Sequence, residues 1–335
     1  MCLTILITGA SGFLGRRLTE MLGGGGDALR LLLREGSDLG SLDAKNCDIV
    51  RCSLGDSEGL ARAMRGVGIV YNCAGRSSDW GSWAEFRAAN IDGVANLLAA
   101  TLRAGTVTRF VHVSTTDIYG YPIEPCDESC GFRDVALPYN RSKGAGDRLA
   151  LDFGRRTGIP VTVVRPATIF GPRSKDWVDE LARLLLARRA LTIAGGRSLA
   201  GLVYVDDVVD AMTSLAHASS AVGEAFNIVD PTPVTWRSYF DAIADAVGAP
   251  RARLDVGPRT AMMLGALCEL AYQLMRVRSR PLFTRHVVYL LSRSQHYDSR
   301  KLSNAIPSFP KIGVARGVEM TATWLKSDEW RELRG

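Results

Sequence analysis

Tyr139 and Lys143 are the two residues whose types and spacing point most directly to catalysis. They stand four positions apart in the segment Tyr-Asn-Arg-Ser-Lys, so a helix presents both side chains on one face. A nearby ammonium and a cofactor cation lower a phenol's pKa from about 10 towards neutral pH. Such a phenol can exchange a proton with a substrate hydroxyl or carbonyl while hydride moves to or from a nicotinamide. The same spacing also occurs on solvated helix faces, so this interpretation depends on a cofactor site elsewhere.

A glycine-rich turn early in the chain predicts that cofactor site. The segment Thr-Gly-Ala-Ser-Gly-Phe-Leu-Gly follows the first predicted strand and opens the first predicted helix. Gly9 allows the tight turn, Gly12 lets the backbone approach a pyrophosphate, and Gly15 lets helix and strand pack closely. The free amides and positive dipole end of the helix attract the phosphates. The predicted cofactor-binding residues of this turn are Gly9, Ser11, Gly12, Phe13, Leu14 and Gly15.

The residue after the second predicted strand indicates which dinucleotide binds. NAD-selective sites usually carry an acidic residue there, which binds the ribose hydroxyls. In this chain Arg34 occupies the position, and a guanidinium cannot accept a hydrogen bond but can pair with a 2′-phosphate. Arg16 could add a second cation, whereas a shifted register would bring the Glu35 carboxylate near the ribose. We expect NADP in preference to NAD.

The composition is that of an ordinary globular protein. Of the 335 residues, 47% are hydrophobic and 23% are charged, which excludes a disordered or fibrous chain. The 41 basic and 35 acidic side chains give a formal net charge of +6. The basic residues are scattered, with no arginine-rich arm or aromatic–basic stripe, so nucleic acid is not an expected partner.

The sequence predicts neither a secretory leader nor a metal site. The N-terminal apolar run lacks a charged segment before it and leads straight into the glycine turn. The longest other apolar stretch, 261–275, is shorter than the ~20 residues that span a bilayer. An odd number of cysteines, with Cys2, Cys47, Cys52 and Cys73 in or beside predicted strands, indicates a reduced cytoplasmic protein. Neither cysteines nor histidines have partners at metal-ligand spacing.

Apolar runs that alternate with helical patterns predict the fold. Strands are expected at 3–8, 28–33, 48–52, 68–73, 109–114, 160–165 and 225–229, with helices at 14–22, 58–64, 83–104 and 139–157. Strands that are apolar on both faces suit a parallel sheet covered by helices on each side. We therefore expect an α/β fold with a doubly wound parallel sheet, the Rossmann fold, and a smaller, mainly helical C-terminal region.

The predicted domain division lies near residue 172. Residues 1–172 form the NADP-binding Rossmann domain, with the chain returning to the sheet near 200–230, and 173–335 mainly bind substrate. An apolar helix over 258–275 either packs on the core or covers the substrate pocket, where its methionines would adapt to an apolar molecule. The basic segment 276–280 that follows it could contact an anionic membrane surface.

Six motifs, in chain order, resemble the extended short-chain dehydrogenase/reductase family. They are the glycine turn, Asn-Cys-Ala-Gly from Asn72, Val-Ser-Thr-Thr-Asp-Ile-Tyr-Gly from Val113, Tyr139 with Lys143, Arg-Pro-Ala-Thr-Ile-Phe-Gly-Pro from Arg165, and Tyr-Val-Asp-Asp from Tyr204. The resemblance covers nearly the whole chain. Trp80-Gly81, Pro281-Leu-Phe-Thr-Arg285 and the preceding apolar helix resemble its 3β-hydroxysteroid (sterol) dehydrogenase branch.

The resemblance implies roles for individual residues. Thr115 matches the hydroxyl residue that hydrogen-bonds the reacting oxygen, Tyr139 matches the acid/base, and Lys143 matches the ribose anchor. One departure is Ser53, which stands where the family usually has an aspartate that binds adenine. The residues that the resemblance places against the cofactor are Ala74, Pro166 and Ile169, with Tyr139 and Lys143. The residues that it suggests for the substrate side are Trp80, Asp117 and Met263.

These features predict an NADP-dependent oxidoreductase that interconverts a secondary alcohol and a ketone on a hydrophobic, steroid-like or polyketide-like substrate. The chief alternative is a nucleotide-sugar epimerase or dehydratase, which recycles its cofactor internally. Dehydratases carry an Asp–Glu pair after the hydroxyl residue, whereas Thr116 and Asp117 follow Thr115 here. A threonine hydroxyl is too weak an acid for that elimination. A non-catalytic NADP-binding protein would have no need of the Thr115, Tyr139 and Lys143 set. The family also implies a homodimer through the helices at 83–104 and 139–157.

Overall fold

A seven-stranded parallel sheet lies at the centre of the molecule. The structure, a computed structural model, describes residues 3–334, so the prediction for Cys2 falls outside the described residues. The strands in chain order are β1 (Thr4–Thr8), β2 (Ala28–Leu33), β3 (Asp48–Arg51), β4 (Val67–Asn72), β5 (Arg109–Val113), β6 (Val161–Pro166), β7 (Thr168–Phe170), β8 (Leu191–Ile193), β9 (Leu202–Tyr204), β10 (Ala225–Ile228) and β11 (Leu254–Val256).

The order of the strands creates a crevice at one edge of the sheet. Across the sheet the order is β10-β6-β5-β4-β1-β2-β3, and every neighbouring pair is parallel. The winding reverses direction between β1 and β4, so the loops that follow these two strands diverge to opposite faces of the sheet. Ligands of such folds bind at this reversal, outside the carboxyl ends of the strands.

The helices enclose both faces of this sheet. Their bounds are α1 (Phe13–Leu22), α2 (Ser57–Ala63), α3 (Trp83–Arg87), α4 (Gly93–Ala104), α5 (Pro138–Thr157), α6 (Leu181–Leu186), α7 (Val205–His217), α8 (Trp236–Val247), α9 (Pro258–Leu274), α10 (Arg285–Ser292), α11 (Arg300–Ala305), α12 (Gly313–Leu325) and α13 (Asp328–Arg334). Successive strand residues point to opposite faces: Leu6 packs in the core under α2, α4 and α5, whereas Ile5 and Ile7 pack in the core under α1 and α7. The predicted doubly wound α/β fold is confirmed.

A π-helical segment interrupts the helix that was predicted over 83–104. Residues Ala88–Asp92 adopt this wider turn between α3 and α4, and Asn90 lies buried within it. Such segments often occur where a helix residue is needed at a functional site. The predicted helix therefore exists but is locally unwound.

The C-terminal region packs around an apolar core to which Tyr121, Leu137 and Phe170 also contribute. Trp236, Tyr239 and Phe240 of α8 form its centre, and α10 and α12 pack nearby. The chain also contributes two small parallel pairs, β7–β9 and β8–β11, whose strands of three residues are too short for a periodic signal. Among residues 3–334, no helix combines the length and apolar character needed to cross a membrane.

Candidate active site

The glycine turn forms a backbone cradle at the end of β1. Gly9 has φ +68°, and a Cβ atom there would lie 2.8 Å from the backbone nitrogen of Ala74. A Cβ on Gly15 would collide with the carbonyl oxygen of Gly9. The α1 N-terminus has Gly12 as its N-cap without a side-chain cap, and its first turn carries no acidic residue. Its free amides fit a pyrophosphate.

The other residues predicted around the cofactor lie at the same edge of the sheet. Ser11 is exposed in the turn, and Phe13 and Leu14 begin α1 and are partly buried. Pro166 ends β6 and Ile169 lies in the middle of β7. The carboxyl ends of parallel strands meet at one edge, so the fold brings these segments to one crevice.

A polar network that sequence reasoning missed ties the ends of β1, β4 and β5 together. The Thr8 hydroxyl donates to Asn72 Oδ1 at 2.7 Å and accepts from the Ala74 amide at 3.1 Å. Asn72 Nδ2 lies 3.0 Å from His112 Nδ1. Burial, together with the charge of Lys143, lowers the pKa of His112 to about 3. The ring is therefore neutral and accepts the Asn72 hydrogen bond.

Arg34 and Arg16 differ in their availability to a ligand. Arg34 is exposed just after β2, and within the described residues its guanidinium has no hydrogen bond or ion pair. The guanidinium of Arg16 instead donates to the Leu39 carbonyl at 2.8 Å, to Ser41 at 3.0 Å and to Glu20. Arg16 thus holds the loop after β2, while the Arg34 side chain faces solvent.

Thr115, Tyr139 and Lys143 converge at the carboxyl end of β5. Tyr139 stands in the first turn of α5, and its phenol is hydrogen-bonded to the Thr115 hydroxyl. Lys143, one turn later, donates from Nζ to the Val113 carbonyl at 2.6 Å. Burial lowers the pKa of Lys143 to about 8. The three residues predicted to be catalytic are therefore brought together.

The surroundings of Tyr139 raise the pKa of its phenol, whereas the sequence predicts a lowered pKa. Burial and, next, the charge of Asp117 raise the pKa of the phenol above its ordinary value, and the Thr115 hydrogen bond opposes them. The sequence-based expectation counted only the cations of Lys143 and the cofactor. In the protein itself the phenol therefore holds its proton firmly at neutral pH.

Asn90 connects α5 to the loop after β4. Its side-chain amide donates to Ser142 Oγ at 2.9 Å and its side-chain carbonyl accepts from the Arg76 amide at 2.8 Å. The π-helical segment brings this side chain to the start of α5. The contact positions Tyr139 and Lys143 relative to the crevice.

Of the three residues suggested for the substrate side, Asp117 lies beside this centre, whereas Trp80 contacts α9 and the segment after it. Asp117 follows Thr115 and accepts a hydrogen bond at 2.9 Å from Nε2 of His286. Trp80 makes a perpendicular ring contact with Tyr272 of α9, at 6.1 Å between ring centres, and donates to the Val277 carbonyl. The segment from α9 to α10 therefore packs against the loops after β4 and β5.

Met263, the third residue suggested for the substrate side, lies on the outer face of α9. The buried residues of α9 are Ala261, Gly265 and Glu269, which recur every four positions and define its inner face. Met263, half a turn away from that face, is 57% exposed. Its side chain points away from that inner face, and its contact with a substrate stays a prediction.

Sequence reasoning also missed Asp79 and His286. The Asp79 carboxylate is paired with Arg280 and accepts from the Thr284 hydroxyl. His286 Nδ1 lies 3.9 Å from the same carboxylate. Burial raises the pKa of Asp79, but its hydrogen bond and charge interaction with Arg280 prevail and lower it. These partners are about 200 positions apart, so no local pattern could have revealed them.

The aspartates of the Tyr-Val-Asp-Asp motif are structural. Asp206 forms an ion pair with Arg17 of α1, and Asp207 accepts backbone hydrogen bonds at 2.9 Å from residues at the start of α12. Among residues 3–334, no group of three or more His, Cys, Asp or Glu side chains could hold a metal ion.

A dinucleotide cradle next to a Thr–Tyr–Lys centre defines an NAD(P)-dependent enzyme of the extended short-chain dehydrogenase/reductase type. The model of the NAD dependent epimerase/dehydratase family matches residues 5–229, and the chain belongs to this family.

Curated relatives and solved structures agree with this class. The chain is 27% identical to a 2-alkyl-3-oxoalkanoate reductase of Stenotrophomonas maltophilia, with 94% of this chain and 97% of the relative covered. It is 24% identical to a 3beta-hydroxysteroid-dehydrogenase/decarboxylase of Arabidopsis thaliana, covering 94% and 61%. The UDP-glucose 4-epimerase structure from Thermotoga maritima superimposes with a TM-score of 0.79 at 21% identity, covering 99% and 100%.

Proposed function

We propose that the protein is an NADP-dependent oxidoreductase that interconverts a secondary alcohol and a ketone on a hydrophobic substrate. The observation that carries this proposal is the hydrogen-bonded pair of Thr115 and Tyr139 beside the glycine cradle. A phenol and a hydroxyl that point at one place can bind a single carbonyl oxygen. The names of the curated relatives, a reductase and a hydroxysteroid dehydrogenase, support the same chemistry.

The residues of the site account for the proton in this reaction. NADPH, when bound in the cradle, supplies hydride to the carbonyl carbon. The Thr115 hydroxyl donates a hydrogen bond to the carbonyl oxygen, and Tyr139 transfers its proton to that oxygen. The raised pKa of the phenol keeps this proton in place at neutral pH, which suits reduction. Lys143 would hold the nicotinamide ribose.

The preference for NADP rests on Arg34. Its guanidinium, which has no hydrogen bond or ion pair among residues 3–334, is free at the end of β2 to form a bidentate pair with a 2′-phosphate. Arg16 is already bound to the loop after β2, so we assign the selectivity to Arg34 alone.

The nucleotide-sugar alternative is supported by solved structures of the same fold, such as the epimerase. Two features of the site favour the oxidoreductase instead. Thr116 occupies the position of the dehydratase acid, and Asp117 is already hydrogen-bonded to His286. Neither residue is poised to eliminate water from a sugar.

The outer face of α9 supports a contact with an anionic membrane surface. Large apolar side chains are exposed on α9 at Met263, Leu264, Leu267, Leu270 and Leu274, and after it at Met275 and Leu282. Residues 258–285 contain five arginines and a single acidic residue, Glu269, which is paired with Arg285. An apolar face edged by cations suits the surface of an acidic bilayer, from which an apolar substrate could reach the site.

The compartment and oligomeric state complete the proposal. The six cysteines of the described residues are free thiols, which supports a reducing, cytoplasmic location.

We propose a homodimer through α4 and α5, which analytical ultracentrifugation would detect.

The test is a turnover assay with a panel of 3-oxo acids with alkyl chains, steroid ketones and UDP-sugars. We expect a ketone to consume NADPH in proportion to product. Tyr139→Phe should lower kcat by about 100- to 10,000-fold with NADPH affinity retained, while the control Tyr71→Phe, in β4, keeps its activity. Product from a UDP-sugar at constant NADPH concentration would contradict the proposal.

A further inference from the structure

His286 of α10 is a titratable side chain beside Tyr139 that has no role in the proposed reaction. Its ring centre lies 5.5 Å from that of Tyr139, at an angle of 42°. Nε2 is 2.9 Å from Asp117 Oδ2, and both side chains are largely buried, at 12% and 10% exposure. A buried imidazole bound to a carboxylate is therefore in contact with the acid/base phenol.

The backbone fixes Asp117 in this position. Its amide donates to the Thr115 hydroxyl at 3.2 Å, and its carbonyl accepts from Asn140 Nδ2 at 2.6 Å. Asn140 follows Tyr139 in α5. The loop after β5 and the start of α5 thus hold the carboxylate beside the phenol, and His286 of α10 binds it.

The other charges around His286 have partners of their own. Asp79 is paired with Arg280 and Thr284, and Arg285 is paired with Glu269 at 2.7 Å. Tyr121, the remaining titratable group against the ring, is buried and its pKa is raised by burial and by Asp117. The charge on His286 is therefore balanced chiefly by Asp117.

We propose that His286, held by Asp117, is a positioning residue whose positive charge stabilises the negative charge left on Tyr139 when the phenol gives its proton to the substrate. This inference rests on the proposed function. Opposite charges a few ångströms apart attract more strongly in a buried site than in water, so loss of the imidazole proton weakens the stabilisation of the phenolate.

The sign of the pH dependence follows from this arrangement. Burial lowers the pKa of His286, but Asp117, through its hydrogen bond and charge, and Asp79 prevail and raise it. The imidazolium is present below that pKa and is lost as the pH rises through it. Reduction should accordingly slow as His286 loses its proton. Arg280 also faces the cluster and lowers the pKa of His286, but its own pKa is raised, so it keeps its charge over this range.

A substrate-free measurement tests the contact. The full-length protein carries 3-fluorotyrosine at position 139 and ¹³C-labelled histidine, and both are followed by NMR as the pH is varied. We expect the fluorine resonance to show an inflection at the pH where His286 titrates. Asp117→Asn should move the histidine transition and the fluorine transition down together by about one pH unit. His286→Gln should abolish both transitions. His296→Gln, which replaces an exposed histidine, is the control and should change neither transition. Variants that do not fold are replaced by Asp117→Ser and His286→Asn.

Kinetics provide the second readout. The decline of kcat for ketone reduction at alkaline pH should coincide with the His286 titration. In Asp117→Asn this decline should begin at a lower pH. In His286→Gln the decline should vanish, and kcat at neutral pH should be about tenfold lower than in the parent protein. A fluorine resonance insensitive to His286, or a decline that persists in His286→Gln, would overturn the inference. If the parent protein turns over no ketone, the proposed function is contradicted. The NMR titration then still tests whether His286 acts on Tyr139.

Discussion

The cofactor side and the substrate side of the site are built in different ways. The cradle uses seven consecutive residues, Gly9 to Gly15, and works through backbone atoms. The substrate side joins Trp80 to Val277, Asp79 to Arg280 and Asp117 to His286, across 169 to 201 positions. A site made of local backbone leaves a motif in the sequence. A site made of distant side chains does not.

The two sides also differ in what maintains them. Close approach of β1, α1 and the loop after β4 leaves no space for a Cβ atom, so the cradle depends on steric fit. The substrate side depends on ion pairs around buried carboxylates, whose strength varies with pH. Substitutions in the cradle should therefore act through steric fit, whereas substitutions of the ion pairs on the substrate side should have effects that vary with pH.

Gly15→Ala should produce the largest effect. Its methyl group would collide with the Gly9 carbonyl, which forces the turn open and removes the phosphate cradle. We expect NADPH affinity to fall more than about 100-fold and the protein to lose about 1–3 kcal/mol of stability. Gly24→Ala, which meets open space, is the matched control. Fluorescence titration with NADPH measures both, and normal binding by Gly15→Ala would refute the steric account.

Arg34→Ala should separate the two cofactors. Loss of a charge-assisted hydrogen bond costs about 1.5–3 kcal/mol, so NADPH should bind about 10- to 100-fold more weakly while NADH binding stays within about twofold. The control Arg103→Ala removes an arginine charge from α4, away from the end of β2, and should leave the binding of both cofactors unchanged. Isothermal titration calorimetry gives both dissociation constants. An equal loss for the two cofactors would remove the NADP assignment.

Arg280→Met should affect stability in a pH-dependent way. It leaves the buried Asp79 carboxylate without its cation, and we expect a loss of about 2 kcal/mol at neutral pH. Because Arg280 lowers the pKa of Asp79, the ion pair stabilises the fold above the unfolded pKa of about 3.9 and is lost as the pH falls further. The difference in Tm between variant and parent should therefore narrow below about pH 4. A difference independent of pH would indicate lost packing alone.

The double substitution Met263→Ser with Leu264→Ser should have the smallest effect on the folded protein. Both side chains are exposed on α9, so Tm and the KM for a ketone should hardly change, with stability within about 0.5 kcal/mol. Binding to anionic phospholipid vesicles, measured by co-sedimentation, should weaken. Val222→Ser, which removes an exposed apolar side chain away from α4, α5 and α9, is the control. A raised KM would return these residues to the substrate pocket.

Several elements were predictable because the determinants are local. Residues apolar on both faces, such as Ile5 to Ile7, identify buried parallel strands, and the spacing of Gly9, Gly12 and Gly15 identifies the turn between strand and helix. The pairing of Tyr139 with Lys143 on one face follows from helical periodicity. The motif that contains Asp117 was enough to suggest this residue for the site, but no motif indicated its partner His286.

Tertiary structure alone decided the rest. The outward direction of Met263 depends on which face of α9 meets the core, and a helix with apolar residues all round carries no sign of that choice. The direction in which the Tyr139 pKa moves depends on burial and on the nearby Asp117 charge, neither of which is visible in the spacing of Tyr139 and Lys143. His286 reaches Asp117 only because the segment from α9 to α10 folds back over the carboxyl edge of the sheet. Sequence determines local conformation through short-range sterics and periodicity, whereas the charges around a buried group are set by residues that only folding brings near.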